Sequence, residues 1–508
     1  VEGFTLFESL AIRSISAACS ECCFDKTNAA LIISTTKGNV DLLAADGNAE
    51  NVTSIGVAAK RIAAAVGVAT EPIVVCNACI SGVAAMVLAQ RMIEAGDCRH
   101  AIVCGIDLQN PFVISGFQSL QALSADECRP FDIERIGLNL GEAAATVVLS
   151  ADGDESAWKI LRGAVKNDAY HVSTPHPQGE GCMRAIEQVL EGVSLSELAL
   201  VNAHGTATMY NDQMESKAIS RAGLSEVPTN ALKGYLGHTL GAAGVIETIL
   251  SMRAVDRGVV LATRGFDEIG VSGKVNVSGS SATTDKRLLL KIISGFGGCN
   301  GALLIGKCGD SRKVLPGNGG AITHRVRLTP SSLAVDGRDI SVEQTGAKML
   351  GWLYKLQACD YPKFYKMDGL AKLAFVATEL LLNAEGRARL EDSSDRAVVL
   401  FSKTGSLAAD KAYLATIADA ANYYPSPSLF VYTLPNIAAG EIAIRNKCHA
   451  ETEFYILGEK NQGLMDIIIN KVFADNSHHS VIAGWVEYEN ETTFEADLYI
   501  LEKSKQQE

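Results

Sequence analysis

The feature that most constrains the fold is an abrupt change from strand to helix around Cys79. Ile73–Val75 is a short apolar run rich in β-branched residues and predicts a buried strand. From Val83 to Ile93 there is no Pro or Gly, which predicts a helix. Cys79 lies in the turn between them, where free amides and the helix dipole favour a thiolate. A single cysteine in such a turn is more often a small buried hydrophobic residue, so its role depends on the rest of the chain.

Strands and helices alternate over about the first 300 residues, which predicts an α/β sheet with helices on its faces. Further strands are predicted at Leu31–Thr35, Ala101–Gly105, Ala143–Leu149, Leu198–Ala203, Leu288–Ile293 and Ala302–Ile305. The charged, glycine-containing stretch Arg129–Glu142 predicts an irregular and tightly held loop.

Composition excludes several classes of protein. A net charge of -13 without a local basic cluster argues against a nucleic-acid partner. Thirteen cysteines at irregular spacing predict free thiols in a reducing compartment. No apolar run approaches the roughly 20 residues of a membrane-spanning helix, and the first residues lack a signal-peptide pattern. We therefore expect a cytoplasmic protein without a membrane span, and its 508 residues suggest about three domains.

Four further motifs follow Cys79. His204-Gly-Thr206-Ala-Thr208 comes at the end of a predicted strand, and Lys233 to Gly244 contains His238. A helix containing Glu247 follows, and Phe296 lies in a glycine-rich turn. Taken singly, each motif is weak, because a lone histidine is more often structural, a lone lysine is usually on the surface and a lone phenylalanine is usually in the core.

Together and in this order, the motifs resemble those of the β-ketoacyl-acyl carrier protein synthases. The matching segments are Ala78–Ser81, Arg129–Asp132 with Arg135 and Gly141–Glu142, Asn202–Thr208, Lys233–Gly244, and Gly295–Gly298. The resemblance covers about residues 1–307 and is specific to the elongating type with two histidines. It implies a thiolase-like layered αβαβα fold.

The resemblance also implies a role for each residue. Cys79 would accept the acyl chain, and the backbone amides of Cys79 and Phe296 would form the oxyanion hole. His204 and His238, as neutral donors, would hold the malonyl thioester carbonyl and assist the loss of CO2. The remaining assignments are Lys233 with Glu247 as electrostatic organisers, Thr206 and Thr208 as ligands of the phosphopantetheine arm, and Phe296 as the gate of the acyl pocket.

No metal or further cofactor is implied, since the substrates are carried on the phosphopantetheine of an acyl carrier protein. That carrier protein is the expected partner, together with a homodimer or a pseudo-dimer within the chain. The pathway expected is fatty acid or polyketide biosynthesis.

Two departures from the family bear on these expectations. The family has a strand and loop ahead of the helix that starts at Leu6, and without them one edge of a sheet is left in doubt. Cys299 stands where the family has Thr, and a second cysteine is also a feature of thiolases, in which it acts as a base. A thiolase-type acyltransferase using coenzyme A thioesters therefore remains an alternative, as does a non-catalytic carrier-binding scaffold.

Residues 361–501 repeat the first half of the chain. Phe364–Ala371 aligns with Phe4–Ala11, Val398–Gly405 with Leu31–Gly38, and Phe454–Gly463 with Ile73–Gly82. In this alignment Lys460 falls at the place of Cys79 and Gln462 at the place of Ser81. The repeat ends before any counterpart of His204 or His238. It is similar to the chain-length-factor partners of ketosynthases, which predicts a pseudo-partner that limits product length. The alternative is an ancestral duplication that contributes only to stability.

The predicted organisation is a first module at 1–155, a second at 156–307, a linker at 308–345 and a third, degenerate module at 346–508. Within the linker range, Arg325–Leu328 and Leu333–Gly337 predict a hairpin with Asp336-Gly337 as a turn signal. The predicted activity is decarboxylative condensation of a carrier-bound acyl chain with malonyl-acyl carrier protein, giving 3-oxoacyl-acyl carrier protein.

Overall fold

Nineteen strands can be assigned over the described residues of the computed structural model, which are 1–44, 53–152, 156–307, 320–358, 360–386, 395–474 and 478–503. In chain order they are β1 (Ala30–Ser34), β2 (Ile73–Val75), β3 (His100–Asp107), β4 (Ala143–Ser150), β5 (Lys159–Asn167), β6 (Leu198–Asn202), β7 (Pro228–Asn230), β8 (Val259–Val260), β9 (Asn276–Val277), β10 (Ala282–Thr283), β11 (Leu288–Gly295), β12 (Cys299–Gly306), β13 (Gly320–Leu328), β14 (Leu333–Val335), β15 (Arg338–Ile340), β16 (Arg396–Ser402), β17 (Thr452–Ile456), β18 (Ser480–Asn490) and β19 (Thr493–Lys503).

The α-helices of the described residues alternate with these strands. They are α1 (Leu6–Ser20), α2 (Ile55–Val66), α3 (Ser81–Glu94), α4 (Pro111–Ser119), α5 (Glu180–Leu190), α6 (Met209–Arg221), α7 (Lys233–Leu236), α8 (Ala243–Asp256), α9 (Ala347–Gln357), α10 (Gly369–Glu385), α11 (Leu407–Leu414), α12 (Pro427–Tyr432), α13 (Ile437–Asn446) and α14 (Gln462–Lys471). None of them is long and apolar enough to cross a membrane.

Two large sheets build the fold. The first has eleven strands in the order β15-β14-β13-β19-β18-β16-β17-β2-β1-β3-β4, and the second has six in the order β5-β12-β11-β6-β7-β9. The first module therefore contributes one end of the large sheet, the second module forms the other sheet, and the third module returns to the large sheet. A short pair, β8 with β10, lies apart from both.

The layers follow the αβαβα order of thiolase-like folds. One outer core packs α1, α2, α10 and α13 against the large sheet, and it is shared by the first and third modules. A middle core contains α3 between the two sheets. The other outer core packs α5 and α6 against the second sheet. The predicted fold class is thus confirmed.

The central helices α3 and α8 cross at two glycines. A Cβ atom added at Gly82 would lie 2.9 Å from the Val245 nitrogen, and one at Gly244 would lie 2.7 Å from the Val83 nitrogen. Real Cβ atoms do not approach backbone this closely, so both positions require glycine. This close approach brings the start of α3, and with it Cys79, against the second module.

The third module repeats the pairing of the first. Strand β16 lies parallel to β17 and β18, as β1 lies parallel to β2 and β3, and β18 and β19 are antiparallel, as are β3 and β4. The two sets join where β17 runs antiparallel to β2, with Tyr455 opposite Val75 and Ile456 opposite Val74. In the sequence alignment Val74 matches Tyr455 and Val75 matches Ile456, so exchanging the modules reproduces the same two pairs. This is the signature of a two-fold axis between the modules.

Part of the predicted linker is instead sheet. Residues 308–319 lie outside the described residues, but β13, β14 and β15 fall within the range 308–345. The predicted hairpin is confirmed, because β13 pairs with β14, and Asp336-Gly337 connects β14 to β15. Strand β13 also pairs along β19, so this segment belongs to the large sheet. The alternate apolar residues Val326 and Leu328, both buried, were the available signal.

One sheet edge differs among the three modules. Strands β12 and β19 each have an antiparallel neighbour on both sides, whereas β4 has β3 on one side and, among the described residues, no strand on the other. A groove of about 570 Å³ runs between α1 and β4 at this edge.

Candidate active site

Cys79 lies in a strained turn between β2 and α3. Ala78 has a φ of 49°, in the left-handed region that non-glycine residues rarely adopt. The hydroxyl of Ser81 fixes this turn by accepting from the Asn77 N–H at 2.8 Å and donating to the Ala78 carbonyl at 2.6 Å. The Cys79 side chain consequently faces a cavity of about 420 Å³ instead of packing into the strand-helix core.

Two histidines converge on the Cys79 sulfur. His238 Nε2 lies 3.1 Å from Cys79 Sγ, and the rings of His204 and His238 meet edge to face with centroids 5.1 Å apart. His204 follows β6, and His238 precedes α8. Both are almost fully buried and line the same cavity as Cys79.

The hydrogen bonds of these rings fix their tautomers. Nδ1 of His238 accepts from the Leu240 N–H at 3.2 Å, and Nδ1 of His204 faces the Lys233 ammonium at 3.1 Å. In a neutral imidazole the nitrogen opposite an acceptor carries the proton, so both rings present Nε2–H as a donor. Burial and the positive charge of Lys233 lower the pKa of both histidines well below the usual range, which keeps the rings neutral.

The Cys79 thiol departs from the sequence expectation. Burial raises its pKa to about 12, and the charge of Lys233 lowers it only in part. The helix-terminal position was expected to favour the thiolate, but removal of water outweighs that effect. Since His238 Nε2–H points at the sulfur, the thiolate would be stabilised by this hydrogen bond while substrate excludes water.

A buried triad of charges backs the histidines. Lys233 Nζ donates to Glu247 Oε1 at 2.7 Å and to the His204 carbonyl at 2.7 Å, which brings together the lysine and glutamate predicted from sequence. Lys291 on β11 binds the other oxygen of Glu247 and approaches the Ala203 carbonyl at 3.4 Å. All three side chains are at most 1% exposed. Two cations on one carboxylate make the centre electropositive.

Lys291 was missed by the sequence interpretation. Its signal was a lysine in the middle of an apolar strand, Leu288 to Ile293, where a buried charge requires a partner.

Two buried carboxylates hold the backbone of the His204 motif. Glu215 accepts from the His204 N–H at 2.5 Å and from the Gly205 N–H at 2.8 Å. Asp212 accepts from the Thr206 N–H at 2.9 Å. Burial raises the pKa of Glu215 to about 7 although these amides oppose the rise. Both carboxylates lie on α6, at positions that sequence analysis did not single out.

The Arg129–Glu142 segment positions His238. The His238 N–H donates to the Asn139 carbonyl at 2.7 Å, and the Gly141 N–H donates to the His238 carbonyl at 3.0 Å. A Cβ atom at Gly141 would lie 2.0 Å from the Leu236 carbonyl oxygen, so only glycine fits there. Asp132 anchors the segment through the amides of Asp267 and Glu268 and the Arg129 guanidinium.

The predicted arm-binding and gate residues line the cavity. The hydroxyls of Thr206 and Thr208 are hydrogen-bonded to each other at 2.8 Å. The Phe296 ring lies nearly parallel to that of Phe117, with centroids 6.3 Å apart. A Cβ atom at Gly295 would lie 3.2 Å from the Cys79 nitrogen, so the Phe296 loop approaches the Cys79 amide closely.

Cys299 lies behind the Phe296 loop. Its thiol donates to the Phe296 carbonyl at 3.1 Å, it is 1% exposed, and it is absent from the residues that line the cavity. Burial raises its pKa well above the usual range. A thiol held in this way is a structural side chain rather than a base facing substrate.

The third module has no such arrangement at the aligned position. Lys460 forms ion pairs with Glu495 at 2.6 Å and Asp497 at 3.2 Å, and the Gln462 amide lies 3.2 Å from the Tyr499 hydroxyl. Among the described residues, histidines do not accompany Lys460 in these contacts.

Cys79, His204 and His238 also offer ligand atoms that all lie within 4.8 Å of one another. Thiolate and imidazole are the ligands that Zn²⁺ prefers. Assays of this site therefore require a chelator, because a bound cation would compete with acyl transfer.

Known families match the first half of the chain. Residues 16–154 match the family described as beta-ketoacyl synthase, N-terminal domain, and residues 159–267 match beta-ketoacyl synthase, C-terminal domain. The 3-oxoacyl-[acyl-carrier-protein] synthase 2 of Mycobacterium leprae is 32% identical over 248 residues, which cover 45% of this chain and 59% of the relative. The enzyme of the same name from Vibrio cholerae is 30% identical over 275 residues, covering 50% and 66%. The chain thus spans about three-fifths of the length of such relatives.

Solved structures extend the likeness. The ishigamide ketosynthase/chain length factor is 25% identical with a TM-score of 0.56, covering 60% of this chain and 83% of that one. A ketosynthase in complex with its chain length factor from Xenorhabdus doucetiae is 28% identical, with a TM-score of 0.51, covering 58% and 77%. A keto synthase–chain length factor structure has a TM-score of 0.76 at 17% identity, covering 99% of this chain and 70% of that chain. At that identity the last likeness concerns the fold alone.

Proposed function

The chain contains the N- and C-terminal domains of a β-ketoacyl synthase, and from this premise we propose that it condenses a carrier-bound acyl chain with malonyl-acyl carrier protein. The product is 3-oxoacyl-acyl carrier protein and CO2. The observation that carries the proposal is the approach of His238 Nε2 to Cys79 Sγ at 3.1 Å, with His204 beside it. A scaffold has no need of a nucleophile and two neutral donors in one cavity.

In the first step Cys79 attacks the thioester carbonyl of the acyl carrier protein. A carbon–sulfur bond to Cys79 forms, the bond to the carrier sulfur breaks, and the thiol proton ends on that leaving sulfur. The amides of Cys79 and Phe296 would stabilise the oxyanion, and one such donor is worth roughly 10² to 10³ in rate at other acyl-transfer sites. This transfer step consumes no oxidant and no nucleotide.

In the second step the malonyl carboxylate leaves as CO2 and its bonding electrons form an enolate. Nε2–H of His204 and His238 would donate to the enolate oxygen, and the Lys233–Glu247–Lys291 triad adds positive charge behind them. The enolate carbon then attacks the acyl carbonyl on Cys79, the carbon–sulfur bond breaks, and the Cys79 thiolate that leaves takes up a proton from solvent.

Carrier protein and phosphopantetheine enter this proposal as substrates. The hydroxyls of Thr206 and Thr208 lie at the cavity wall, within the buried approach to Cys79 that an extended arm requires. Loss of CO2 supplies the driving force, so the proposed reaction requires neither a metal nor a further cofactor. We place the reaction in fatty acid or polyketide synthesis and expect it to occur in the cytoplasm.

The test is peptide-mapped mass spectrometry after mixing the protein with an acyl-loaded carrier protein and a chelator. We expect a thioester adduct at Cys79 that is absent from Cys79→Ala and unchanged in Cys299→Ala. Labelling by acetyl-CoA alone, or an adduct at Cys299, would favour a thiolase. A folded protein without any adduct would contradict catalysis and favour a carrier-binding scaffold.

We further propose that the third module limits product length. The cavity lining lies within residues 79–300, but Phe117 on that wall is backed by Phe430 of α12, with ring centroids 5.6 Å apart at 69°. A Cβ atom at Gly116 would lie 2.0 Å from the Phe430 ring, so no space separates the two modules here. Phe117 therefore has no room to move outward for a longer chain.

Product analysis by mass spectrometry tests this second role. Phe430→Ala should shift the products toward longer chains, because Phe117 can then enter the vacated volume. Tyr424→Ala is the matched control, since that aromatic ring is 77% exposed. An unchanged product distribution in Phe430→Ala would refute the role. Deletion of 361–508 is a less informative test, because the module shares a core with the first.

A further inference from the structure

The loop Gly295–Gly298, which carries Phe296, is fixed by hydrogen bonds to its carbonyl groups. The Gly297 carbonyl accepts from Asn167 Nδ2 at 2.8 Å, and the Gly298 carbonyl accepts from the Asp168 N–H at 2.7 Å. Both of these donors belong to the second module. The Phe296 carbonyl is held differently, because one of its donors comes from the third module.

That donor is Asn436, at the start of α13. Its Nδ2 donates to the Phe296 carbonyl at 2.8 Å and lies 3.7 Å from Cys299 Sγ. The side chain is 3% exposed. The Asn436 amide is oriented with Nδ2 toward two acceptors. One is the Phe296 carbonyl oxygen, and the other is the Cys299 sulfur, whose own proton is directed to that carbonyl.

The start of α13 packs closely against the loop. A Cβ atom at Gly297 would lie 2.6 Å from Asn436 Nδ2, and one at Gly440, one helical turn further on, would lie 2.8 Å from the Gly297 carbonyl oxygen. Two glycines from different modules thus permit the contact. The third module also reaches the nucleophile turn, because the Asn77 amide donates to the Thr452 carbonyl at 2.9 Å.

A residue that served only to pack this interface would not be expected to be an asparagine. Its Oδ1 is buried and has no hydrogen-bond partner among the described residues. An unsatisfied buried acceptor is unfavourable, and an apolar side chain of similar volume would avoid it. The amide is better explained by the bond that Nδ2 makes to the Phe296 carbonyl.

We propose that Asn436 is a positioning residue for acyl transfer at Cys79, contributed by the module that has no nucleophile of its own. By fixing the Phe296 carbonyl it sets the direction of the Phe296 amide, which lies one peptide earlier in the same loop, next to Gly295, where the loop approaches the Cys79 nitrogen. This inference rests on the proposed condensing function. It gives the third module a part in the chemistry in addition to its part in product length.

The test separates acylation of Cys79 from its alkylation. Acylation passes through an oxyanion and depends on the Phe296 amide, whereas alkylation by iodoacetamide displaces iodide and forms no oxyanion. We expect Asn436→Leu to slow acylation by an acyl-loaded carrier protein roughly 10- to 100-fold, as partial loss of one oxyanion donor. The iodoacetamide rate and the KM for the carrier should stay within about twofold, because neither depends on the oxyanion.

Asn446→Leu is the matched control. Asn446 lies at the other end of α13, is 6% exposed and donates to the Ile442 carbonyl within its own helix. It should change stability without slowing acylation. Asn436→Ser serves if the leucine variant does not fold, and its shorter side chain should also slow acylation selectively.

Equal acylation rates in folded Asn436→Leu and the unsubstituted protein would overturn the inference and leave the proposed function intact. A parallel loss of acylation and alkylation would also overturn it, because that pattern indicates general disruption. An unsubstituted protein that is alkylated at Cys79 but never acylated would refute the proposed function and this inference with it.

Discussion

The turn at Cys79 and the turn at Lys460 begin alike and end differently. Each follows a buried strand of the large sheet, and the two strands, β2 and β17, pair with each other. After Cys79, α3 is buried along nearly its whole length between two sheets, whereas α14 exposes residues such as Asp466 and Ile467. The second module covers α3 and encloses the cavity in front of Cys79, whereas α14 has no such cover in the described part of the chain.

The connection between the two antiparallel strands that follow is also longer in the first module than in the third. Strands β3 and β4 are joined by residues 108–142, which include α4 and the loop that holds His238. In the third module Glu491 and Thr492 alone join β18 to β19. The third module has kept the strands that contact the first and lacks the connection that builds a cavity.

The largest effect expected from this comparison is on acyl transfer. Cys79→Ala should reduce condensation at least about 10³-fold, because no other cavity-lining side chain is a comparable nucleophile. Lys460→Ala should leave it within about twofold, since the ion pairs of Lys460 in the described structure are with Glu495 and Asp497, neither of which lines the cavity. Product formation from malonyl-acyl carrier protein measures both variants.

A second variant tests the same contrast in reverse. Lys460→Cys in the Cys79→Ala background should not be acylated, because no histidine adjoins that position in the described structure. Acylation at residue 460 would show that a strand–helix turn alone is sufficient, and the comparison would fail.

The next largest effect is on stability, and it compares two triads in which a carboxylate lies between two cations. Glu247 lies between Lys233 and Lys291 with all three side chains at most 1% exposed. Asp497 is 9% exposed, but the cations on either side of it, Arg325 and Lys460, are each 33% exposed, and Arg327 at 3.7 Å is 62% exposed. Glu247→Gln should cost about 3–5 kcal/mol of unfolding free energy, because it leaves buried charges unpaired. Asp497→Asn should cost less, about 1 kcal/mol, because the cations that it leaves unpaired remain in contact with water.

Urea unfolding measures both triad variants. The double variant Glu247→Gln/Lys291→Met should be more stable than Glu247→Gln alone, since it removes one unpaired lysine. If Glu247→Gln and Asp497→Asn are equally destabilised, burial does not distinguish the two triads.

Much of the first two modules could be predicted from the sequence because their signals are local. The strand predicted at Leu198–Ala203 is observed at Leu198–Asn202, and the strand predicted from Ala143 to Leu149 ends one residue later. The motif residues Cys79, His204, His238, Lys233 and Glu247 are brought together as a group. Apolar runs, glycines and motif order are sufficient for this.

What was missed depends on contacts between distant parts of the chain. The raised pKa of Cys79 follows from burial under the second module, which the residues around Cys79 do not encode. Asn436 reaches the Phe296 loop across the module boundary, and no pattern near either residue indicates it. The segment at 320–340 was taken for a linker because its pairing partner β19 lies far along the chain.

Two aligned glycines give a smaller, opposite pair of effects. Gly82→Ala should destabilise the protein by up to about 3 kcal/mol, because its Cβ would lie 2.9 Å from the Val245 nitrogen. At Gly463, which aligns with Gly82, the nearest atom is Asn461 Oδ1 at 3.6 Å. Gly463→Ala should therefore be neutral or stabilise by up to about 1 kcal/mol through helix propensity. Thermal unfolding compares the two, and similar losses would mean that α14 is covered as α3 is.

The smallest effect is confined to acid and distinguishes the two connections. Burial tends to raise the pKa of Asp132, but the amides of Asp267, Glu268 and Glu134 and the Arg129 guanidinium outweigh it and lower the pKa to about 2. Because the folded pKa lies below the unfolded value of 3.8, the stabilisation is complete above pH 3.8 and is lost as the pH falls through 2. Asp132→Asn should therefore be less stable by about 2 kcal/mol at neutral pH, with the gap closing near pH 2.

Hydrogen exchange locates this acid sensitivity. After correction for intrinsic rates, residues 108–142 should keep their protection from pH 5 to pH 3.8 and lose it as the pH falls further to 2. The β18–β19 hairpin, which has no such loop, should keep its protection throughout. Asp132→Asn should show weak protection of 108–142 at every pH in this range. Equal loss of protection in both connections would mean that acid unfolds the large sheet as a whole. The loop over the cavity would then be no less stable than the sheet that carries it, and Asp132 could not be its separate anchor.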